Sequence, residues 1–207
     1  MMEEGLTGVV LAGGPGSRLG GGKPWRTLAG RRLIDIALQR ARELCPQALV
    51  VAGDAADFAE LDCTVIADRW PGQGPLAALA TVFLDSPAAS VLLLPVDAPL
   101  LRPALLRRVL ELSPGQKAVA PRGPGGVEPL LAWYSRECLA PALKLVAAGE
   151  RRLRLLLEAV GAYTMTRQEV GEVDPHDLSF INVNFPEDLE RAEQVARQRG
   201  LFDTLTG

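Results

Sequence analysis

The sequence is poor in the side chains on which much of enzyme chemistry depends. Its 207 residues include one histidine, His176, three lysines, and three widely separated cysteines, Cys45, Cys63 and Cys138. Without clustered cysteine or histidine, the sequence argues strongly against a structural zinc site or a metalloprotease helix. Ser-His chemistry would need His176, which lies in the polar segment DPHDLS of a chain without a G-x-S-x-G motif. We interpret His176 as a solvated loop residue.

The chain also lacks a strong charge of either sign and a long apolar run. Its formal net charge of -3 gives no basic footprint for nucleic acid, although a local positive pocket could still hold an anion. The apolar run VLLLPVDAPLL is too short and too interrupted to span a bilayer, and MMEEG does not resemble a signal peptide. An odd number of cysteines in apolar stretches fits free thiols. We expect a cytoplasmic protein with no nucleic-acid or membrane partner.

What the sequence does contain is an alternation of short apolar runs and helical patterns. Continuous apolar runs such as TGVVL, ALVVA and SVLLL are typical of strands in a sheet that is covered on both faces. The sequence therefore predicts an α/β, three-layer, Rossmann-like fold with a mostly parallel central sheet, in a single domain over residues 1–207. Helices are expected near residues 33–44, 55–60, 76–84, 103–112, 138–148, 151–160 and 186–199. PRGPGG is expected to be a loop, and VEPLLAWY, AYTMT and SFINVN are expected to be strands.

The segment LAGGPGSRLGGGK, residues 11–23, follows the first predicted strand and contains six glycines and no acid. In a doubly wound sheet this turn is the usual phosphate site, and glycines let main-chain N–H groups approach an anion. Arg18 and Lys23 add positive charge. A P-loop is ruled out by Ser17 and Pro24, which stand where the motif needs a glycine and a hydroxyl residue, and a dinucleotide fingerprint lacks its last glycine. A phosphate-binding loop and a merely flexible loop remain as alternatives.

These residues carry a family resemblance. The pattern L-A-G-G-x-x-x-R-L-G-x-x-K resembles the signature loop of nucleotidyltransferases that share the fold of the molybdenum cofactor guanylyltransferases. DRWPGQGPLAAL is similar to the family's D-x-x-x-x-x-G-P-L-x-G-L segment, and LLLPVDAPLL is similar to its strand that ends in a D-x-P turn. VEPLLAWY, GERRLRLLL and FINVNFPEDL extend the similarity from about residue 7 to 191. Two departures are Gly22, where the family usually has an acid, and alanine in place of the glycine in the G-P-L segment.

The resemblance implies transfer of GMP from GTP to the terminal phosphate of molybdenum-bearing molybdopterin, with release of pyrophosphate. It assigns Mg²⁺, the expected cofactor, to Asp97, and phosphate binding to Lys23 and Arg18. A phosphate monoester is already largely deprotonated at pH 7, so that the reaction needs no general base. The alternatives are that Asp97 only caps its turn and that the two cations are isolated surface charges.

The resemblance also implies contacts with the nucleotide and with the acceptor. Asn182 and Asn184 alternate with Val183, which places both amides on one face of an extended segment; the family uses them for the pterin or the metal, although they could merely order a loop. Asp68 could instead pair with Arg69 or start a turn. The residues expected to contact the nucleotide are Leu11, Ala12, Gly13, Gly14, Lys23, Asp68 and Gly74.

Several questions stay open from the sequence alone. The cations Arg151, Arg152 and Arg154 could bind the substrate phosphate or form a solvated helix face. The same fold could use CTP or transfer to another small phosphorylated acceptor. A different class of function is a non-catalytic nucleotide-binding or cofactor-delivery module. In either case, molybdoenzymes or their chaperones are candidate protein partners.

Overall fold

The computed structural model of the chain describes residues 5–12 and 22–201, and the predicted site residues Gly13, Gly14 and Arg18 lie outside these ranges. The strands are β1 (Leu6–Leu11), β2 (Thr27–Leu28), β3 (Arg31–Arg32), β4 (Gln47–Ala52), β5 (Thr64–Ala67), β6 (Ser90–Pro95), β7 (Ala118–Ala120), β8 (Arg122–Gly123), β9 (Gly126–Val127), β10 (Ala132–Ser135) and β11 (Tyr163–Thr164). The α-helices are α1 (Leu33–Arg42), α2 (Pro75–Asp85), α3 (Pro103–Glu111), α4 (Leu139–Ala147), α5 (Leu153–Val160), α6 (Arg167–Val173) and α7 (Pro186–Gln198).

Seven of these strands form the central sheet, in the order β11-β7-β10-β6-β1-β4-β5. The strand β1 pairs in parallel with both β4 and β6, so that Val9 lies between Leu49 and Leu93. The pairs β4–β5 and β7–β11 are also parallel, whereas β10 runs antiparallel to β6 and β7. The predicted α/β fold with a mostly parallel central sheet is confirmed.

Helices cover both faces of the sheet. Neighbouring residues of a strand point to opposite faces, so Val9 and Val10 of β1 pack against different sets of helices. Val10 packs in a buried cluster with side chains from α1, α3, α6 and α7. Val9 packs in a second buried cluster with side chains from α2, α4 and α5. Both valines are fully buried. The continuous apolar strands of the sequence therefore reflect burial on both faces, as predicted.

The cysteines and the histidine agree with the sequence analysis. Cys45, Cys63 and Cys138 are free thiols, and burial raises the pKa of Cys45 and of Cys138 to about 12. His176 is exposed in a turn. Within the part of the chain that the structure describes, no helix combines the length and the apolarity that a membrane span requires.

Two segments after Pro121 differ from the prediction. PRGPGG, predicted to be a loop, contributes to a small hairpin of β8 and β9. VEPLLAWY, predicted to be one strand, is divided between two: Val127 ends β9, and only its last three residues belong to β10. The N–H of Glu128 donates to the oxygen of Pro121, the N–H of Leu131 donates to the oxygen of Glu128, and Pro129 has no N–H to donate to a neighbouring strand. These bonds turn the chain before β10.

The predicted strand SFINVN is also wrong. Its first two residues belong to a single helical turn, Leu178–Phe180, and the following residues stay outside the sheet. The N–H of Val183 donates to the main-chain oxygen of Asp97 at 2.7 Å, which ties this segment to the end of β6. Val183 is fully buried, Asn182 is exposed and Asn184 is half-buried. The alternation predicted around Val183 is thus present without a strand.

The α-helices begin and end close to the predicted positions, with three differences. The helix predicted near residues 55–60 is only a single helical turn, Ala56–Phe58. α5 begins at Leu153 rather than at residue 151, because the carboxylate of Glu150 accepts the main-chain N–H groups of the next two residues. α6 has no counterpart in the prediction. Its start is fixed by reciprocal capping, in which the hydroxyl of Thr166 accepts the N–H of Glu169 and the carboxylate of Glu169 accepts the N–H of Thr166.

Candidate active site

A cleft of about 690 Å³ opens at the carboxyl ends of β1, β4, β5 and β6. The strand β1 has β4 as its parallel neighbour on one side and β6 on the other, so the direction in which strands are added to the sheet reverses at β1. Open α/β sheets bind ligands at such switch points. The N–H of Ala12 donates to the oxygen of Val51 at 3.0 Å, so the pairing of β1 with β4 continues to the edge of the cleft. Six of the predicted site residues line the cleft, namely Leu11, Ala12, Lys23, Asp68, Gly74 and Asp97.

Lys23 is the cation that the described part of the cleft places beside a carboxylate. Its ammonium nitrogen lies 3.1 Å from Oδ2 of Asp97 and 2.9 Å from Oδ1 of Asn184. The side chains of Lys23 and Asp97 are 19% and 24% exposed, so both remain open to the cleft. Gly22, just before Lys23, has a φ of 66°, in the left-handed region that favours glycine. The departure from the family pattern at Gly22 is therefore compatible with the local backbone.

The segment around Asn184 is held in place from two sides. As described above, Val183 is bonded to the main chain of Asp97. On the other side, Oδ2 of Asp188 accepts the main-chain N–H groups of Asn184 and Phe185, each at 2.8 Å. These bonds, first that from Asn184, hold the pKa of the Asp188 carboxyl below its usual range. The start of α7 thereby fixes Asn184 next to Lys23.

Asp68 follows β5 and lines the cleft, and one of its carboxylate oxygens accepts hydrogen bonds from within the protein. Oδ1 accepts the N–H of Trp70 and the hydroxyl of Thr81, each at 3.0 Å. Thr81 lies on α2 and is fully buried. Arg69 pairs with Asp85 instead of Asp68, so the alternative of an Asp68–Arg69 ion pair is wrong. The bond to Trp70 does start a turn, and Asp68 also lines the cleft.

Gly74 marks the start of α2 and brings two parts of the chain together. Its φ is 86°, and a Cβ atom at this position would lie 3.1 Å from both Cβ and the main-chain oxygen of Arg151. A side chain would therefore be strained in backbone conformation and crowded against Arg151. Two of the neighbouring cations pair locally, Arg152 with Glu150 at 2.8 Å and Arg154 with Glu158 at 3.6 Å. These pairs favour the solvated helix face over a phosphate site for Arg152 and Arg154.

Sequence reasoning missed several residues of this region. Trp25 and Phe58 line the cleft and stack with ring centroids 5.3 Å apart; neither position carried a sequence signal. Glu128 lies with Asp97 and Asn182 around a smaller cavity beside the cleft. Burial, together with the negative charge of Asp97, raises the pKa of the Glu128 carboxyl above its usual range. The one sequence feature that could have pointed to Glu128 is that it is an acid inside the otherwise apolar segment VEPLLAWY.

The oxygen atoms around Lys23 are of the kind that Mg²⁺ prefers. The carboxylate of Asp97 and the amide oxygen of Asn184 meet at the same ammonium group. In the described ranges, no three His, Cys, Asp or Glu residues come together as a metal cluster. Mg²⁺ in nucleotide-binding proteins is commonly held by one or two carboxylates together with substrate phosphates. The donor set therefore fits a Mg²⁺ ion that arrives with a triphosphate and does not fit an all-protein cage.

Comparison with known proteins adds to this geometry. The family model described as MobA-like NTP transferase domain matches residues 8–167. A molybdenum cofactor guanylyltransferase of Cereibacter sphaeroides is 35% identical over 201 residues, which cover 93% of this chain and 98% of that protein. A probable molybdenum cofactor guanylyltransferase of Chloroflexus aggregans is 31% identical over 191 residues, or 89% of this chain and 92% of the relative.

A solved structure is similar over nearly the whole chain. The crystal structure of molybdopterin-guanine dinucleotide biosynthesis protein A from Archaeoglobus fulgidus superposes with a TM-score of 0.81 at 25% identity. The similarity covers 93% of this chain and 99% of that chain. By the family model, these relatives and the shared fold, the chain belongs to the MobA-like NTP transferase domain family.

Proposed function

We propose that this nucleotidyltransferase transfers GMP from GTP to the terminal phosphate of molybdenum-bearing molybdopterin. A phosphate oxygen of the acceptor attacks the α-phosphorus of GTP and forms a new P–O bond. The bond from the α-phosphorus to the oxygen that bridges to the β-phosphate breaks, and pyrophosphate leaves. The names of the relatives support this choice of substrates. The contact of Lys23 with both Asp97 and Asn184 is the observation that carries it.

The residues of the cleft suit a reaction that needs charge and alignment rather than a base. The second pKa of a phosphate monoester is near 6, so the acceptor is largely a dianion at pH 7. The ammonium group of Lys23 neutralises negative charge that develops on the phosphates. Asp97, with Asn184 beside it, would hold Mg²⁺, which supplies further charge neutralisation to the triphosphate when bound.

The proposed substrates occupy opposite sides of Lys23. Leu11 ends β1, Ala12 follows it, and Asp68 follows β5. We assign the nucleoside to this side of the cleft. Asn182, which follows the buried turn before α7, lies on the other side, where we assign the acceptor. Lys23 contacts Asn184 and therefore lies at the border between the two sides.

Pyrophosphate release tests the proposal directly. Purified protein is incubated with GTP and molybdenum-bearing molybdopterin, with Mg²⁺ or with a chelator of divalent cations. We expect pyrophosphate only when GTP, acceptor and Mg²⁺ are all present. Faster release with CTP would favour the cytidylyltransferase alternative. Binding of GTP without any release of pyrophosphate would favour a cofactor-delivery module and contradict the proposed reaction.

A further inference from the structure

A second, smaller cavity opens beside the cleft on its acceptor side. It measures about 60 Å³, more than the roughly 10–15 Å³ that a single water molecule requires. Pro95, Asp97 and Leu130 line both the cleft and this cavity, so the two spaces adjoin. The small cavity can hold the edge of a planar ring whose body lies in the cleft. Its polar walls are formed by Glu128 and Asn182.

Glu128 carries the strongest hydrogen-bond acceptor of this small cavity apart from Asp97. Its main chain is fixed on both sides by the bonds to Pro121 and Leu131 described above, so the side chain leaves the backbone in a defined direction. The residue is half-buried. Among the residues that the structure describes, no N–H group or cation bonds to the Glu128 carboxylate. A half-buried carboxylate opposite Asp97 is stabilised by a ligand that supplies donors.

The part of the cavity wall formed by Ser179, Phe180 and Asn182 is held in place by hydrogen bonds and close packing. The carboxylate of Asp174, which is 2% exposed, accepts the N–H groups of Leu178 and Ser179 at 3.1 and 2.8 Å. Phe180 packs against the hairpin so closely that a Cβ atom on Gly123 would lie 2.5 Å from its ring. The turn that carries Phe180 and leads to Asn182 is therefore held by the carboxylate of Asp174 and by the hairpin at Gly123. A ligand edge would meet a preformed recess.

We propose that Glu128 binds the donor edge of the pterin and selects the acceptor of the reaction. The proposal rests on the function given above. A 2-amino-4-oxopyrimidine ring presents an amino N–H and a ring N–H side by side, and a carboxylate offers two oxygens with matching separation. The amide of Asn182, which lines the same cavity, can donate to a ring carbonyl. Glu128 is thus a specificity-determining residue for the acceptor and takes no part in nucleotide binding.

Two fluorescent probes that differ in one donor test this assignment. Pterin has the 2-amino group, whereas lumazine, pteridine-2,4-dione, has an oxygen in its place. Because guanine carries the same donor edge as pterin, the protein is first saturated with Mg²⁺ and a GTP analogue that has a non-cleavable bridge between the α- and β-phosphates. Fluorescence titrations then compare the wild type with Glu128→Gln and with Glu137→Gln, a control at an exposed glutamate. Thermal unfolding verifies that each variant is folded.

The wild type and Glu137→Gln should bind pterin at least about tenfold more tightly than lumazine, since a hydrogen bond to a charged group is lost. Glu128→Gln should reduce this preference to about twofold or less, while the analogue still raises its unfolding midpoint as in the wild type. An unchanged preference in Glu128→Gln would overturn the role of Glu128. Equal binding of both probes by the wild type would also overturn the role of Glu128. If the analogue still stabilises the protein in that case, the proposed nucleotide transfer is not contradicted. No stabilisation by the analogue and no probe binding would instead remove the proposed function itself.

Discussion

The ammonium nitrogen of Lys23 lies 3.1 Å from Oδ2 of Asp97, although 74 residues separate them in the chain. Asn184, 161 residues after Lys23, accepts a second bond from the same nitrogen. One cation therefore connects the end of the glycine-rich segment, the end of β6 and the segment before α7. A triphosphate that enters the cleft competes with Asp97 for Lys23. A metal ion bound to Asp97 would free the lysine for phosphate, because it replaces the positive charge beside the carboxylate.

Asp97→Asn should reduce pyrophosphate release at least about a hundredfold, because a bound metal ion contributes several kcal/mol of charge stabilisation. The amide keeps the shape of the side chain and removes its charge, so the fold should persist. Release is measured with GTP, acceptor and Mg²⁺, and unfolding is followed by heat. Asp62→Asn, at an exposed position, serves as the control. Release near the wild-type rate in Asp97→Asn would mean that Asp97 does not hold the metal.

Lys23→Ala should weaken the binding of GTP by about 1.5–3 kcal/mol, the range for a hydrogen bond to a charged group. Calorimetric titration with GTP and Mg²⁺ measures this difference. Lys144→Ala removes an exposed lysine on α4 and should leave the affinity unchanged. Equal affinities for wild type and Lys23→Ala would show that the lysine does not hold the triphosphate.

Asn182→Ala and Asn184→Ala should differ, although only Val183 separates the two residues. Asn184 contacts Lys23, so its loss should weaken both GTP binding and acceptor use. Asn182 lines the small acceptor-side cavity, so its loss should raise the KM for the acceptor and leave the affinity for GTP intact. Steady-state kinetics together with GTP titrations separate the two effects. Identical profiles for the two variants would contradict the division of the cleft.

Much of the fold could be predicted because its signal is local. Apolar strands and amphipathic helices alternate along the chain, and Gly149 and Gly161, which directly follow the helices predicted near residues 138–148 and 151–160, both have a positive φ that suits the end of a helix. The segment FINVN shows the limit of such reasoning. Its alternation of polar and apolar residues is the same in a strand and in an extended segment outside the sheet. Only the long-range bond from Val183 to Asp97 decides between them.

The candidate site could be predicted to a similar extent. Asp97 follows the predicted strand SVLLL, and Lys23 ends the glycine-rich segment that follows the first predicted strand. Parallel strands bring the segments that follow them to one edge of the sheet. Glu128 was missed because VEPLLAWY was predicted to be one continuous strand, and a single acid in such a strand does not indicate a binding site. The turn that directs this side chain depends on a bond to Pro121. A hydrogen bond between two loop segments produces no periodic pattern of apolar residues from which it could be predicted.

Asp188→Asn should lower the free energy of unfolding at neutral pH by about 0.5–2 kcal/mol, because the two main-chain N–H groups then bond to a neutral amide oxygen instead of a charged carboxylate oxygen. The pKa of Asp188 is lower in the folded chain than in the unfolded chain, where an aspartate titrates near about 3.9. The contribution of Asp188 is therefore complete above the unfolded-state pKa and is lost as the pH falls through the folded-state pKa. The difference between wild type and variant should shrink below about pH 4.

Urea unfolding across the acid range measures this dependence. Glu187→Gln, a change of charge at the exposed neighbouring position, serves as the control and should be close to neutral. A stability difference for Asp188→Asn that stays constant in acid would show that the carboxylate does not act through its charge. Because Asp188 also fixes the main chain of Asn184, the variant should weaken GTP binding slightly as well.

The base preference can be measured without any acceptor. A ligand that binds only the folded state adds RT ln(1 + [L]/Kd) to stability, about 2.7 kcal/mol at a hundredfold excess over Kd. A site that reads the base through buried polar groups loses about 1–3 kcal/mol when one of them is left unpaired, which corresponds to roughly tenfold in affinity.

In the presence of Mg²⁺, GTP should therefore raise the unfolding midpoint clearly more than ATP or CTP at the same concentration. Lys23→Ala should reduce the shift with GTP, because Lys23 lines the cleft and its loss weakens the triphosphate contact common to all three nucleotides. A larger shift with CTP would transfer the assignment to a cytidylyltransferase. The absence of any shift, with GTP, ATP or CTP, would show that the folded chain does not bind these nucleotides, and would contradict a phosphate-binding role for the glycine-rich segment that ends at Lys23.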